Sequence, residues 1–257
     1  MIPKIIHYTW FSGEEFPPRI KSCIESWHKF LPDYQFKLWD MAAIADIDSA
    51  FLKETLESRK WAYASDFVRL YAVYKYGGIY LDTDVRLYRN FDDLLCESAF
   101  IGAESSIHYE GGMTEKYLSS HCFGAVPAHP YIQKCLSYYN GRNFIQSRDN
   151  SLPNTLKLNM VLLPYIQSEI AKSDGYDSSA LRDEIQKLSD GLVIYPSHYF
   201  DAKDIHNDTR CVHLAVGSWR EYDQYNPKAT LAYKIQWRWQ ALIQKILGKK
   251  YTVIRLH

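Results

Sequence analysis

The stretch YKYGGIYLDTDVRLY, Tyr74 to Tyr88, decides how this sequence is interpreted. Two glycines interrupt a helical pattern, an apolar strand is predicted over 78–85, and Asp82 and Asp84 stand two residues apart near its end. Because side chains alternate across a strand, both carboxylates are expected on one face, with their Cα atoms about 7 Å apart. Two like charges at that spacing repel each other unless a positive partner lies beside them or the strand ends at an open edge where solvent serves; a divalent cation such as Mn²⁺ or Mg²⁺, which suits hard oxygen ligands, is the more economical explanation.

The helix predicted before this strand, over 61–76, is apolar on almost every side, which is typical of a buried helix. Its polar exceptions, Ser65, Asp66 and Arg69, fall within an arc of about 100°. Asp66 and Arg69 are spaced i, i+3, so they can meet each other or share a ligand. They form either a structural ion pair or one wall of a polar site. We favour the site, because a buried ion pair is a poor source of net stability.

The remaining pattern alternates strands with helices. Further strands are predicted over 4–10, 34–39, 99–104, 192–196 and 210–215. The predicted helices cover 49–76 with a break near Arg59, 129–139, and 154–171 with Pro164 kinking the helix or ending its first part. This order predicts an α/β domain with a mixed, mostly parallel sheet. We expect one domain over 1–225 and a separate tail over 226–257.

Composition narrows the function classes. The formal net charge of the 257 residues is zero, which gives the chain as a whole no reason to bind nucleic acid. The five cysteines are odd in number and form no C-x-x-C pair, which favours free thiols in a reducing compartment over disulfides or a zinc site. The sequence contains neither a signal-peptide pattern nor a membrane-spanning run, so we expect a cytoplasmic protein.

The tail is basic and amphipathic. From Lys228 onward it holds seven Lys and Arg residues and no Asp or Glu. Its apolar residues recur every three or four positions: Leu231, Ile235, Trp239, Leu242 and Ile246. This periodicity predicts a helix. Two interpretations stay open, a helix docked on the core with a solvated basic side and a peripheral membrane contact through 228–257.

The motif S-D-x-x-R followed by G-G-x-Y-x-D-x-D resembles the sugar-binding region of retaining glycosyltransferases. That group includes yeast initiating α-mannosyltransferases, bacterial capsular-polysaccharide and lipopolysaccharide sugar transferases, and the glucosyltransferase domains of clostridial toxins. The matching residues are Ser65, Asp66, Arg69, Gly77, Gly78, Tyr80, Asp82 and Asp84. IPKIIHYTWFSG at 2–13 also resembles the family's opening strand, and VHLAVGSW at 212–219 its closing motif.

The resemblance implies a GT-A type nucleotide-diphosphosugar-binding fold and a Mn²⁺ or Mg²⁺ cofactor. It makes Asp84 the direct metal ligand. Asp82 would contact the ribose or sugar hydroxyls and reach the metal through water. Asp66 and Arg69 would grip the donor sugar, and Tyr80 would help to shape that wall.

Four further residues receive roles from the same resemblance. Trp10 would stack on the nucleotide base, although a core tryptophan is the alternative. His213 would be a metal or diphosphate ligand that favours Mn²⁺, with a packed structural histidine as the alternative. Ser218 and Trp219 would meet the β-phosphate and the glycosidic oxygen, with the Trp219 indole as a hydrogen-bond donor.

The implied function is the transfer of a hexose or N-acetylhexosamine from a nucleotide-diphosphosugar, UDP-linked or GDP-linked, to a surface polysaccharide, lipopolysaccharide or other glycan, with retention. Two other functions remain open. YLDTDV also fits an aspartate-nucleophile phosphatase, with Asp82 attacking phosphorus and Asp84 acting as acid and base. A catalytically silent scaffold that binds the donor would keep the same residues.

Overall fold

The computed structural model describes residues 1–110, 113–149, 151–179, 184–202 and 204–215. Residues 1–215 form one compact unit. In the described part of the chain, no helix has both the length and the apolar composition needed to cross a membrane. The predicted domain boundary at 225 and the predicted tail over 226–257 lie outside the described residues, and both stay predictions.

Strands and helices alternate near both ends of the described chain, whereas in its middle six strands follow one another with only a 3₁₀ turn among them, which the predicted alternation did not anticipate. The strands are β1 (Ile5–Thr9), β2 (Gln35–Trp39), β3 (Gly78–Leu81), β4 (Val85–Leu87), β5 (Ala99–Ala103), β6 (His108–Glu110), β7 (Met113–Glu115), β8 (Leu118–Ala125), β9 (Gln186–Lys187), β10 (Leu192–Tyr195) and β11 (Cys211–His213). The helices are α1 (Pro18–Phe30), α2 (Ala50–Glu57), α3 (Trp61–Tyr76), α4 (Pro130–Ser137), α5 (Asn154–Lys157), α6 (Leu163–Ser173) and α7 (Ser197–Phe200), and Asp92–Leu94 form a 3₁₀ turn.

The main sheet has the strand order β2-β1-β3-β8-β5-β10-β9. The pairs β1–β2, β1–β3 and β5–β10 are parallel, whereas β8 runs antiparallel to both of its neighbours and β9 runs antiparallel to β10. Five of these seven strands therefore point the same way. The predicted mixed, mostly parallel sheet is confirmed, and two small two-stranded sheets, β4–β11 and β6–β7, accompany it.

Helices cover both faces of the main sheet. In β3, Ile79 belongs to the apolar cluster that contains Trp27 of α1, whereas its neighbour Tyr80 belongs to the cluster that contains Phe67 of α3. The strand is buried on both sides, which is why it reads as a continuous apolar run rather than an alternating one. β3 therefore lies in the middle of the molecule, and its last residue leads directly to the Asp82–Asp84 pair.

The predicted helix break near Arg59 is confirmed, since Arg59 has a positive φ of 52° between α2 and α3. α3 ends as predicted at the two glycines, which also take positive φ values, 63° at Gly77 and 102° at Gly78. A side chain at Gly78 would place its Cβ 2.6 Å from the Ile5 carbonyl oxygen. Only glycine lets α3 stop and β3 start within two residues while β3 lies beside β1.

Two predicted elements differ from the structure. The strand predicted over 78–85 ends at Leu81, because residues 82–84 form a turn that the Val85 N–H closes onto the Asp82 carbonyl oxygen at 3.0 Å. β4 then leaves the main sheet and pairs with β11. The helix predicted over 154–171 is two helices, and Pro164 lies in the first turn of α6 rather than ending α5. A proline is tolerated there because that position needs no N–H.

Candidate active site

The two aspartates of the D-x-D sequence lie on the turn between β3 and β4, and backbone hydrogen bonds fix the turn from two sides. The Asp82 N–H donates to the His121 carbonyl oxygen of β8 at 2.9 Å. The Leu214 N–H, just after β11, donates to the Asp84 carbonyl oxygen at 3.0 Å. The carboxylates therefore project from a turn held by backbone hydrogen bonds. The sequence had predicted instead that they lie on one face of a strand.

Asp82, Asp84 and His213 form a candidate metal centre. Each offers one ligand atom, and these atoms all lie within 4.8 Å of one another. The His213 Nε2 is 3.1 Å from the Asp84 Oδ1. Burial alone would lower the pKa of His213, but its hydrogen bond to Asp84 and the charges of Asp84 and Asp82 outweigh burial and raise the pKa. The structure thus brings together the three residues that the sequence proposed as metal ligands.

The donor set of this cluster fits a divalent cation. Two carboxylates and one imidazole make a mixed oxygen and nitrogen set, which suits Mn²⁺ better than Ca²⁺. The neighbouring Asp66 and Arg69 add one negative and one positive charge. With His213 neutral, the cluster keeps two formal negative charges, which a divalent ion would neutralise.

Arg69 joins this centre to a second group of polar residues on α3. Its guanidinium lies 3.3 Å from Asp66 Oδ1 and 3.2 Å from Asp82 Oδ1, and it donates to the Ser120 carbonyl oxygen at 2.8 Å. The predicted i, i+3 contact is therefore present. Since the same guanidinium also contacts Asp82, the pair adjoins the cluster of potential metal ligands, and its role in binding a donor stays a prediction.

Asp66 is a buried carboxyl whose protonation is finely balanced. Burial raises its pKa to about 6, Arg69 opposes the rise, the charge of Asp82 adds to it, and a hydrogen bond from the Leu163 N–H lowers it again. That last bond ties Asp66 to the start of α6. The carboxyl therefore contacts Arg69 of α3 on one side and the first residue of α6 on the other.

Tyr80 orients Asp82 from beneath. The ring is fully buried, its hydroxyl donates to Asp82 Oδ1 at 2.8 Å, and the Arg69 guanidinium lies over it with Cζ 4.6 Å from the ring centroid. Thr9 Oγ1 lies 3.1 Å from the same hydroxyl and 2.7 Å from the Ser65 hydroxyl. The predicted donor contact of Tyr80 stays a prediction. Through its described contacts, Tyr80 can influence a bound ligand only by way of Asp82.

The phosphatase interpretation is difficult to reconcile with these contacts. It needs Asp82 as a nucleophile with an accessible oxygen. Here the Tyr80 hydroxyl donates to the Asp82 Oδ1, and the Arg69 guanidinium forms an ion pair with the same oxygen. Arg69 also approaches the Asp82 Oδ2 at 3.5 Å.

Trp10 follows the last residue of β1 and is half-buried, not a fully buried core residue. Its indole N–H donates to the Glu14 carbonyl oxygen at 2.7 Å, and its ring packs against Phe16 with centroids 4.9 Å apart. The indole is held in place with part of its surface open. Its stacking on a nucleotide base stays a prediction. Ser218 and Trp219 lie outside the described residues, and their donor contacts stay predictions too.

The sequence missed Thr9, Ser120 and His121 as members of this site. Thr9 and Ser120 contact the site only because β1, β3 and β8 lie side by side, which a single sequence does not reveal. Ser65, which contacts Thr9, is the one of these supporting residues that a local sequence signal indicated, because it stands in the S-D-x-x-R motif on the polar arc of α3.

Comparison with known proteins places this arrangement in context. Residues 17–101 match the family described as "Glycosyltransferase sugar-binding region containing DXD motif". The inositol phosphoceramide mannosyltransferase 3 of Schizosaccharomyces pombe is 33% identical over 138 residues, which is 51% of this chain and 35% of that protein. An uncharacterized glycosyltransferase of Acanthamoeba polyphaga mimivirus is 25% identical over 238 residues, 88% of this chain and 83% of that protein.

The solved structure of the PaToxG glycosyltransferase aligns with 19% identity and a TM-score of 0.47, over 68% of this chain and 70% of that one. The chain spans about a third of the length of the first two curated relatives it matches, both of them mannosyl-transferring proteins by name. The matched region contains α3, the two glycines and the D-x-D turn. The resemblance seen in the sequence is therefore confirmed for this region: residues 17–101 are similar to the DXD sugar-binding region of glycosyltransferases.

Proposed function

We propose that this protein is a metal-dependent retaining glycosyltransferase that moves a hexose or N-acetylhexosamine from a nucleotide-diphosphosugar to a glycan acceptor. One observation carries the proposal. Asp82 belongs at the same time to a cluster of potential metal ligands with Asp84 and His213 and to a buried polar group with Arg69 and Asp66. A donor that carries a diphosphate and a sugar needs both kinds of contact within one molecule's length.

Each residue of the site would then have a role that follows from its chemistry. A bound Mn²⁺ or Mg²⁺ would supply a Lewis acid for the diphosphate, held by Asp84 and His213 with Asp82 beside them. Arg69 and Asp66 would orient sugar hydroxyls, since a guanidinium donates and a carboxylate accepts. Tyr80 would hold Asp82 in the rotamer that serves both groups. Most of the catalytic effect would come from positioning and electrostatics.

Retention of configuration fits the state of the carboxylates. An inverting transferase needs a carboxylate able to take the acceptor proton. In the described site, Asp66 and Asp82 are paired with Arg69, and Asp84 with His213. We therefore propose that an oxygen of the departing diphosphate takes this proton.

The donor is proposed to be a UDP-sugar first and a GDP-sugar second. The names of the relatives include both mannosyl and N-acetylglucosaminyl transferases, so they support a hexose or N-acetylhexosamine without choosing between them. Because Trp10 would stack on the base, it would hold either nucleotide through its π-face.

For the acceptor, we propose a surface polysaccharide, a lipopolysaccharide or a related glycolipid. Met160, Val161 and Leu162 are consecutive exposed apolar residues immediately before Leu163, whose N–H meets Asp66. An apolar rim beside the sugar-gripping carboxyl suits an acceptor with an apolar part. Three relatives are named for inositol phosphoceramide, which is a lipid. We further propose a cytoplasmic protein at the inner face of a membrane.

The first experiment is a calorimetric titration of UDP into the protein with Mn²⁺, repeated with EDTA and with Asp84→Ala. Asp46→Ala, at an exposed aspartate on the chain before α2, is the matched control. We expect binding that needs both the cation and Asp84 and is unchanged in the control. Tight UDP binding in EDTA would remove the metal from the proposal. Binding of neither UDP nor GDP would remove the donor assignment, and with it both the transferase and the donor-binding scaffold functions.

A further inference from the structure

We propose that His121 is the positioning residue of the metal centre: it fixes both the D-x-D turn and the ring plane of His213. This inference rests on the proposed metal dependence and extends it to a residue that makes no direct contact with donor or acceptor. It follows from one contact of the His121 backbone, with Asp82, and one contact of its buried side chain, with His213.

The backbone of His121 holds the first aspartate. Its carbonyl oxygen accepts from the Asp82 N–H at 2.9 Å, directly after β3 ends. β8 pairs with β3 up to Leu81 and Cys122, so this bond continues the antiparallel ladder by one step into the turn. The position of Asp82 is therefore set by the β8 residue that also carries the imidazole described next.

The side chain of His121 supports the histidine ligand. Its ring and that of His213 lie 4.5 Å apart between centroids and within 20° of parallel. Two parallel rings at that distance restrict each other's rotation about χ2, because rotating one ring would force its edge into the other. Since the His213 Nε2 must point at Asp84, a restricted ring plane is what a ligand in this position needs.

The His121 ring is itself fixed by its own partners. It is 5% exposed, and its Nε2 lies 2.9 Å from the Phe200 carbonyl oxygen at the end of α7, to which it donates. The Cys211 thiol on β11 donates to the same Phe200 carbonyl oxygen at 3.4 Å. The ring of His121 therefore links β8 to the end of α7, at a carbonyl group that β11 also contacts, and it is held in place beside His213.

A direct metal role for His121 is the competing assignment. His121, Asp201 and His213 also bring ligand atoms within 4.8 Å of one another. However, the His121 Nε2 is committed to Phe200, and the Asp201 Oδ2 accepts from the Ser105 N–H at 2.7 Å. These commitments favour a supporting ring over a second cation site.

Two variants separate the contributions of the ring. His121→Gln keeps an amide N–H near the position of Nε2 but removes the flat face, whereas His121→Phe keeps the face and removes the hydrogen bonds. Both retain the backbone bond to Asp82. His129→Gln is the control, because His129 is another buried histidine, which caps α4 through the Tyr131 N–H.

Free Mn²⁺ is followed by electron paramagnetic resonance as it is titrated into the full chain, and thermal unfolding is measured beside it. We expect His121→Gln to weaken Mn²⁺ binding by roughly 10- to 100-fold, His121→Phe to weaken it less, and His129→Gln to leave it unchanged. If His121→Gln does not fold, the His121→Phe variant decides the matter.

Mn²⁺ affinity within about twofold of the wild type in a folded His121 variant would overturn the proposal. Equal weakening in the His129 control would overturn it too, because the effect would then be general destabilisation. If Asp84→Ala abolishes Mn²⁺ binding while the His121 variants keep it, only this inference fails. If the wild type binds no Mn²⁺ even when UDP is present, the metal dependence fails with it.

Discussion

Acidification is expected to destabilise this protein through His7, one strand away from the candidate site. His7 lies in β1 and is fully buried. Its Nε2 lies 2.8 Å from the Gly77 carbonyl oxygen, and its Nδ1 accepts from the Trp39 indole N–H at 3.1 Å. Both bonds are satisfied only by the neutral ring that carries its proton on Nε2. Gly77 immediately precedes β3, so the same ring fixes the start of the strand that leads to the D-x-D turn.

The size of the effect follows from the pKa of His7. Burial lowers it from 6.5 to about 4, the hydrogen bond to Gly77 opposes this, and the charge of Lys37 lowers it further. Between those pH values the unfolded chain binds the proton and the folded chain does not, so stability rises with pH there. The stabilisation is complete above pH 6.5 and is lost as the pH falls towards 4. The difference corresponds to about 3 kcal/mol.

Asp66 acts in the opposite direction over part of this range. Its folded-state pKa, raised by burial to about 6, means that the folded chain binds a proton more readily than the unfolded chain. The total pH dependence of stability is therefore a partial cancellation. The contribution of His7 has to be isolated as a difference between two proteins that share Asp66.

Urea unfolding of the wild type and of His7→Gln, from pH 7.5 to 4.5, isolates it. Glutamine cannot titrate in this range but can still donate to the Gly77 carbonyl oxygen. We expect the stability difference between the two proteins to shrink by about 2 to 3 kcal/mol as the pH falls. A difference that stays constant over this range would refute the neutral-histidine argument.

Three further results are expected. Gly78→Ala should lower the free energy of unfolding in urea by at least about 3 kcal/mol, because φ at this position is 102° and the new Cβ would lie 2.6 Å from the Ile5 carbonyl oxygen. Gly141→Ala is the control and should cost about 1 kcal/mol, because φ there is 66° and the Cβ would meet open space. Equal losses would contradict the steric argument. Trp10→Ala should weaken UDP by about tenfold in calorimetry with Mn²⁺ binding unchanged, and an unchanged UDP affinity would remove it from the base site. Arg69→Lys should raise the donor KM by about tenfold in a sugar-release assay, because an ammonium cannot hold two carboxylates in the fork geometry; wild-type KM would show that the fork is not needed.

Local sequence signals predicted α3 and its ends well. The apolar character of the helix, the break at Arg59 and the stop at Gly77 all depend on neighbouring residues. The end of β3 could not be predicted in the same way. Val85 continues the apolar pattern, but it pairs with His213 near the other end of the described chain, so the strand stops and a turn forms.

The sequence predicted the charged residues of the candidate site, but it did not predict most of the residues and backbone groups that hold them in place. Asp66, Arg69, Asp82 and Asp84 stand in a motif whose spacing indicates their chemistry, whereas the role of His213 was implied by the resemblance alone. Their supports come from strands and helices that become neighbours only in the fold, and no spacing in the sequence relates them. The carbonyl oxygens that hold the site are also backbone groups, which any residue type supplies.

The shared position of Asp82 has a consequence for binding order. Its carboxylate is already engaged by Arg69 and Tyr80, so a cation that arrives alone has Asp84 and His213 as its available side-chain ligands. Two protein ligands are few for Mn²⁺ or Mg²⁺, which complete their coordination with substrate phosphates. The diphosphate would therefore strengthen cation binding, and by linkage the cation would strengthen nucleotide binding by the same factor. Because Arg69 holds both Asp82 and Asp66, this coupling would extend to the sugar. A donor with its sugar attached should therefore bind more tightly than the free nucleotide diphosphate in the wild type, and this difference should be lost when Arg69 is replaced.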